Sequence, residues 1–129
     1  MEWLQEQPDA TKALPDWARN ELANQAITDH LTHDGLRIID RGWQCAEGKI
    51  DILAAEHRVL VVCQVKTRTT RNRSPQRAIT RAKARRLRRL GLRWMTDHGV
   101  LYEEIRVDVL SLGRDPAGGF TVEHARGVA

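Results

Sequence analysis

The sequence is short of the residues that build secreted, membrane-bound or metal-stapled proteins. Its two cysteines, Cys45 and Cys63, cannot make a disulfide framework, and neither stands in a CxxC pair of the redox or zinc kind. No apolar run approaches the ~20 residues needed to cross a bilayer, and the acidic N-terminus (Glu2, Glu6, Asp9) lacks the apolar core of a secretory signal. These absences imply a soluble, cytoplasmic protein with no membrane partner. Acidic residues are missing from one long stretch. Residues 66 to 93 hold twelve Lys or Arg and no Asp or Glu, which leaves nine basic against seventeen acidic residues elsewhere. A basic block on an otherwise acidic chain is the electrostatic footprint of a polyanion partner.

What is present fits one domain of 129 residues, large enough for a single core. Residues 1 to 13 are polar and aperiodic and read as a flexible arm; 14 to 129 read as the folded domain. A helix is expected over 15–33, with Pro15 in its first turn, Gly35 after its end, and Ala18, Leu22, Ala23, Ala26, Ile27 and Leu31 on one stripe. Glu21 lies off that stripe and reads as an exposed carboxylate. A strand is expected over 36–43. Two apolar, β-branched runs follow, 50–54 and 59–66, each too short for a helix and separated by Glu56-His57-Arg58. They read as a buried hairpin covered on both faces.

Ser74-Pro75 then suits the start of a second helix running to about His98. Ile79, Leu87, Leu90 and Trp94 make its core stripe, and Arg77, Arg81, Arg85 and Arg88 form a row on the far side. Strands over 104–112 and 119–124 complete the order α-β-β-β-α-β-β, an α/β arrangement with a mixed sheet.

Asp51, Gln64 and Lys66 interrupt the best core-forming stretch of the chain. Gln64 and Lys66 share a strand face by their two-residue spacing. One reading is a metal-dependent phosphodiesterase site, in which Asp51 and an amide or acidic oxygen hold a divalent cation while Lys66 serves the attacking water and the charge developing on phosphate. The plainer reading, favoured by spacing alone, is a buried Asp–Lys ion pair. The basic loop and helix favour phosphate contact over a solvated face, because exposed helices ordinarily mix both signs. The histidines at 30, 33, 57, 98 and 124 show no ligand spacing that would complete a zinc site, and read as surface or packing residues.

Taken together, Gly48-x-Ile-Asp51-Ile-Leu-Ala, Gln64-Val-Lys66-Thr-Arg68 and the Arg-rich helix resemble the YraN-like family of predicted bacterial endonucleases. That family is a branch of the restriction-endonuclease-like superfamily related to Holliday-junction resolvases. The likeness extends to Asn20-Glu21-Leu22-Ala23, Arg41-x-Trp43-x-Cys45, Lys83-x-x-Arg86-Leu87, Arg106-Val-Asp108-Val and Val122-Glu123-His124. It implies a restriction-endonuclease-like mixed sheet flanked by helices, with Glu21, Asp51, Gln64 and Lys66 converging at one end.

It also implies Mg²⁺- or Mn²⁺-dependent cleavage of DNA, the ion held by Asp51 and Gln64, with Glu21 contributing through water. Phosphates would be gripped by Arg68, Arg71, Arg73, Arg77, Arg81, Lys83, Arg85 and Arg88. A resolvase-like role implies a homodimer. Two departures stand out: the family reads GEID and EVK where this chain reads GKID and QVK. Lys49 is expected on the same face as Asp51; the alternative to cleavage is that its ammonium takes the metal's place and leaves a nucleic-acid-binding or interaction domain.

Overall fold

The computed structural model describes residues 16–68 and 79–128. The arm, Ser74-Pro75 and the arginines at 71, 73 and 77 lie outside the described residues. A 3₁₀ turn, Asp16–Arg19, precedes α1 (Glu21–His33), and β1 (Arg37–Cys45), β2 (Gly48–Glu56) and β3 (Val59–Thr67) follow as a meander. Helix α2 (Arg81–His98) leads to β4 (Glu104–Arg114) and β5 (Phe120–Ala125). The strands form one sheet in the order β1-β2-β3-β4-β5, antiparallel throughout except for the parallel pair β3–β4 that α2 connects. The expected order of elements and the mixed sheet are both present.

One helix covers each face. Leu87, Leu90 and Trp94 of α2 pack with Ile50, Leu53, Val62 and Val107, while Ala23, Ile27 and Leu31 of α1 pack with Ile52, Ala54, Val61 and Leu110. Cover on both sides explains why β2 and β3 are almost continuously apolar. Gly91 does not interrupt α2. It lets the helix sit close to the sheet, because a Cβ there would stand 2.9 Å from Cγ2 of Val62 and 3.3 Å from Cγ2 of Ile105.

Each helix has an N-cap inside the span that its periodicity predicts. Asn20 is extended, and its side chain accepts from the amides of Leu22 and Ala23, so the chain breaks there and α1 begins at Glu21. Leu22, expected in the buried stripe, is 65% exposed as a result. Ile79 and Thr80 are not helical. The Thr80 hydroxyl accepts from the Lys83 amide and starts α2 at Arg81; the start expected at Ser74-Pro75 lies outside the described residues. At their other ends, Gly35 (φ +84) and Gly99 (φ +63) adopt the left-handed conformation that lets a helix stop.

Candidate nucleic-acid interface

Asp51 sits where the sheet opens. The β2–β3 ladder runs from Glu56↔Val59 to Ile52↔Cys63, while β3 remains paired with β4 as far as Thr67↔Leu112. In place of the next rung, the Val65 amide donates to Oδ2 of Asp51 at 2.9 Å. Ile50 and Ile52 should share a face by simple alternation, yet they pack into opposite cores, so β2 turns over at Asp51 as a bulged strand does. On the β1 side, Gly42 (φ +65) lies between the pairs Arg41↔Ile52 and Trp43↔Ile50. The splayed strand ends form a cleft of about 360 Å³ bordered by Lys49, Asp51, Gln64, Lys66 and Trp17.

The structure therefore gathers Asp51, Gln64 and Lys66 in one open cleft, and Lys49 joins them. Asp51 is 8% exposed. Its Oδ2 also accepts from Nε2 of Gln64 at 2.9 Å, and Nζ of Lys49 stands 3.7 Å from Oδ1. Burial pushes the Asp51 carboxyl above its ordinary range, against the Val65 amide and the charges of Lys49, Lys83 and Lys66, which pull it down. The influence of Lys83 places the start of α2 within electrostatic reach of the cleft. Lys66 makes no hydrogen bond or ion pair among the described residues.

Other candidate residues fall elsewhere. Glu21 is exposed on the first turn of α1 and makes no hydrogen bond or ion pair among the described residues, so no direct contact joins it to the Asp51 cleft. Arg68 folds inward. Its guanidinium ion-pairs with Glu123, donates to the Thr121 hydroxyl at 2.7 Å, and fills the space over Gly113, where a Cβ would overlap it.

The donor set differs from what the Mg²⁺ or Mn²⁺ implied by the resemblance would need. A hard cation needs several oxygen ligands. Here Oδ2 of Asp51 already accepts two hydrogen bonds, Oδ1 faces an ammonium, and Gln64 presents its N–H in place of its oxygen. As arranged, these residues do not fit a divalent cation.

The basic helix contrasts with its surroundings. Arg81, Arg85, Arg86, Arg88 and Arg89 are exposed, Lys83 is half-buried, and none of the six has a hydrogen-bond or ion-pair partner in its side chain among the described residues. Arg93, one turn further, is neutralised by Glu47 at 2.8 Å and Asp97 at 3.2 Å. No acid stands in the first turn of α2, so Arg81 and Lys83 add positive charge to the positive end of the helix dipole. That arrangement strains the isolated protein and favours an anion.

Sequence reasoning missed one grouping. His30 and Asp34, four apart at the end of α1, meet His124 of β5 in a half-buried cluster. The i,i+4 spacing was a readable signal; the arrival of His124 from the far end of the chain was not.

Comparison with known proteins finds relatives that match most of the chain. The profile of an uncharacterised protein family, UPF0102, matches residues 23–112. A UPF0102 protein of Frankia alni is 39% identical over 111 residues, covering 85% of this chain and 92% of the relative. One from Nocardioides sp. is 42% identical over 100 residues (77% and 81%), and one from Streptomyces coelicolor 44% over 102 residues (77% and 78%).

Proposed function

We propose that this chain, which belongs to the UPF0102 family, is a nucleic-acid-binding domain on an endonuclease-like sheet, with Lys49 standing where a related nuclease would hold its metal. The observation that carries this reading is the convergence of Asp51, Gln64, Lys66 and Lys49 in one cleft beside a basic helix whose residues 81 to 89 hold six basic side chains without a hydrogen-bond or ion-pair partner among the described residues. Phosphate suits both parts. Lys49, Lys66 and Lys83 supply positive potential at the cleft, and Arg81, Arg85 and Arg88 supply exposed guanidinium groups that recognise phosphate oxygens bidentately. The partner is DNA, gripped by its backbone and hence with a strong salt dependence. Arg68 would have to leave Glu123 to take part.

A second reading uses the same cleft residues rearranged: cleavage of DNA with Mg²⁺ or Mn²⁺, with Lys66 serving the attacking water. It requires Gln64 to turn its amide over and Lys49 to swing away from Asp51. Fluorescence anisotropy and gel assays on branched and single-stranded DNA, with Mg²⁺ or Mn²⁺, separate the two. Binding without cleavage in the wild type, and cleavage gained by Lys49→Glu, supports the first. Wild-type cleavage that disappears in Lys66→Ala supports the second. Failure to bind DNA at low salt overturns both.

A further inference from the structure

A second constellation lies toward the opposite end of α1 from Trp17 and Asn24, which border the Asp51 residue's surroundings. Nε2 of His30 and Nδ1 of His124 stand 2.9 Å apart, and Oδ2 of Asp34 lies 3.4 Å from the former and 3.9 Å from the latter. We propose that His30, Asp34 and His124 form a binding site for a divalent transition-metal ion of the zinc type, independent of the Asp51 cleft.

The geometry is close to what such an ion requires. Ligands at about 2.0–2.1 Å in a tetrahedron are separated by roughly 3.3–3.4 Å, and the three observed separations bracket that value. Closing the site needs shifts of about half an ångström, within the reach of side-chain rotation. Two imidazoles and a carboxylate are the donor types zinc selects.

The surroundings are built as those of a metal ligand are. His124, whose side chain is 5% exposed, places its other nitrogen, Nε2, 2.7 Å from Oδ2 of the fully buried Asp108. Asp108 is in turn clasped by Arg106, through Nε at 2.9 Å and Nη2 at 3.0 Å, and by the Gly127 amide at 2.9 Å. An Asp paired with a guanidinium is an acceptor only, so Nε2 of His124 carries the proton and Nδ1 keeps its lone pair aimed at His30 and Asp34. This is the carboxylate–histidine–metal relay in which a buried acid fixes the tautomer and orientation of a ligating imidazole.

Asp34, Glu56 and Asp108 are linked through Arg106 and Arg126, three carboxylates to two guanidinium groups, which leaves one negative charge for a cation to balance. Nη2 of Arg126 stands 3.7 Å from the same Oδ2 of Asp34, so binding requires Arg126 to turn fully toward Glu56, which it already contacts at 2.9 Å. Without metal, Nε2 of His30 donates to Nδ1 of His124; on binding, His30 takes the tautomer protonated at Nδ1, exchanging the proton through solvent, and Nε2 is freed for the ion. His30 also borders an open groove with His33 and Phe120, which gives an ion a way in and leaves room for a fourth ligand. Bound there, the ion joins α1 to the edge strand β5 and, through Asp108, to β4.

The test is titration of the chelator-treated full chain with Zn²⁺, followed by isothermal calorimetry, and with Co²⁺, followed by its visible absorption. The expected result is one ion per chain, with micromolar or tighter affinity and Co²⁺ bands of tetrahedral intensity. Asp34→Asn, a nearly isosteric change on a side chain 31% exposed, weakens binding at least tenfold, and His30→Gln abolishes it. Both variants are checked for a native near-UV spectrum. Absence of stoichiometric binding in the wild type overturns the site, and so does binding unchanged in a folded Asp34→Asn or His30→Gln chain.

Discussion

Nζ of Lys49 stands 3.7 Å from Oδ1 of Asp51, on the only buried carboxylate among the described residues of the cleft. That ammonium and a divalent cation compete for one electrostatic position. Lys49→Glu exchanges the competitor for a ligand, so at millimolar Mn²⁺ the variant should bind one more ion per chain than the wild type. Electron paramagnetic resonance of free Mn²⁺ measures this without any nuclease assay, and equal binding by both chains removes Lys49 from its assigned place.

The exposed α2 arginines predict a salt signature. Each phosphate contact contributes about −0.9 to the slope of log affinity against log salt on duplex DNA, and about −0.7 on single strands. Arg85→Ala and Arg88→Ala should each weaken DNA binding and flatten that slope by roughly one contact's worth. Their side chains have no partner within the described fold, so thermal stability should stay within ~0.5 kcal/mol. A changed melting temperature with an unchanged slope contradicts the assignment.

Glu56 links acid sensitivity to the α1–β5 side of the sheet. It accepts from Arg106 at 2.8 Å and from Arg126 at 2.9 Å, and these hydrogen bonds hold its carboxyl below the usual glutamate range. A depressed pKa gives stability that is complete above the unfolded value, about 4.3, and is lost as pH falls through the lower folded value. Glu56→Gln should therefore cost on the order of 1 kcal/mol at neutral pH and make stability less dependent on pH below about 4.5. Urea midpoints at pH 7, 5, 4 and 3 test this; parallel curves for the two chains would count against it.

Gly91 opposes two effects of known size. Alanine is better than glycine inside a helix by about 1 kcal/mol. A Cβ at this position, however, meets Val62 at 2.9 Å and Ile105 at 3.3 Å, and Val62 is a fully buried β-branched residue that cannot yield easily. Overpacking of this kind costs about 1–3 kcal/mol. Gly91→Ala should therefore be net destabilising in urea unfolding, and Val62→Ala in the same chain should recover part of the loss. A stabilised Gly91→Ala chain would show that the helix can back away from the sheet.

The sheet meander and the apolar face of α2 were legible because their signals are local: β-branched runs divided by His57-Arg58, and Leu87, Leu90 and Trp94 at helical spacing. The caps at Asn20 and Thr80, where a short side chain overrides periodicity, were missed. Asp51, Gln64 and Lys66 were legible because polar groups in a greasy strand demand an explanation. Glu21 came from resemblance alone, and nothing in the geometry ties it to the cleft. The splay at Asp51 and the inward fold of Arg68 depend on which amide or carboxylate each side chain finds, and strand alternation carries no such information. His124 joining His30 was invisible because 94 residues separate them.

That separation also orders the two sites in time. Lys49, Asp51, Gln64 and Lys66 belong to adjacent antiparallel strands spanning residues 48–67, and a hairpin of this kind closes in about 1–10 μs. The His30–His124 contact closes a loop around nearly the whole domain, the slow kind of event in folding. Detachment of the short strand β5 from β4 would erase the histidine cluster and leave the basic cleft assembled. Hydrogen exchange should accordingly find protection at the Val65 amide outlasting that at Gly127, making the first site a property of a hairpin and the second a signature of the finished chain.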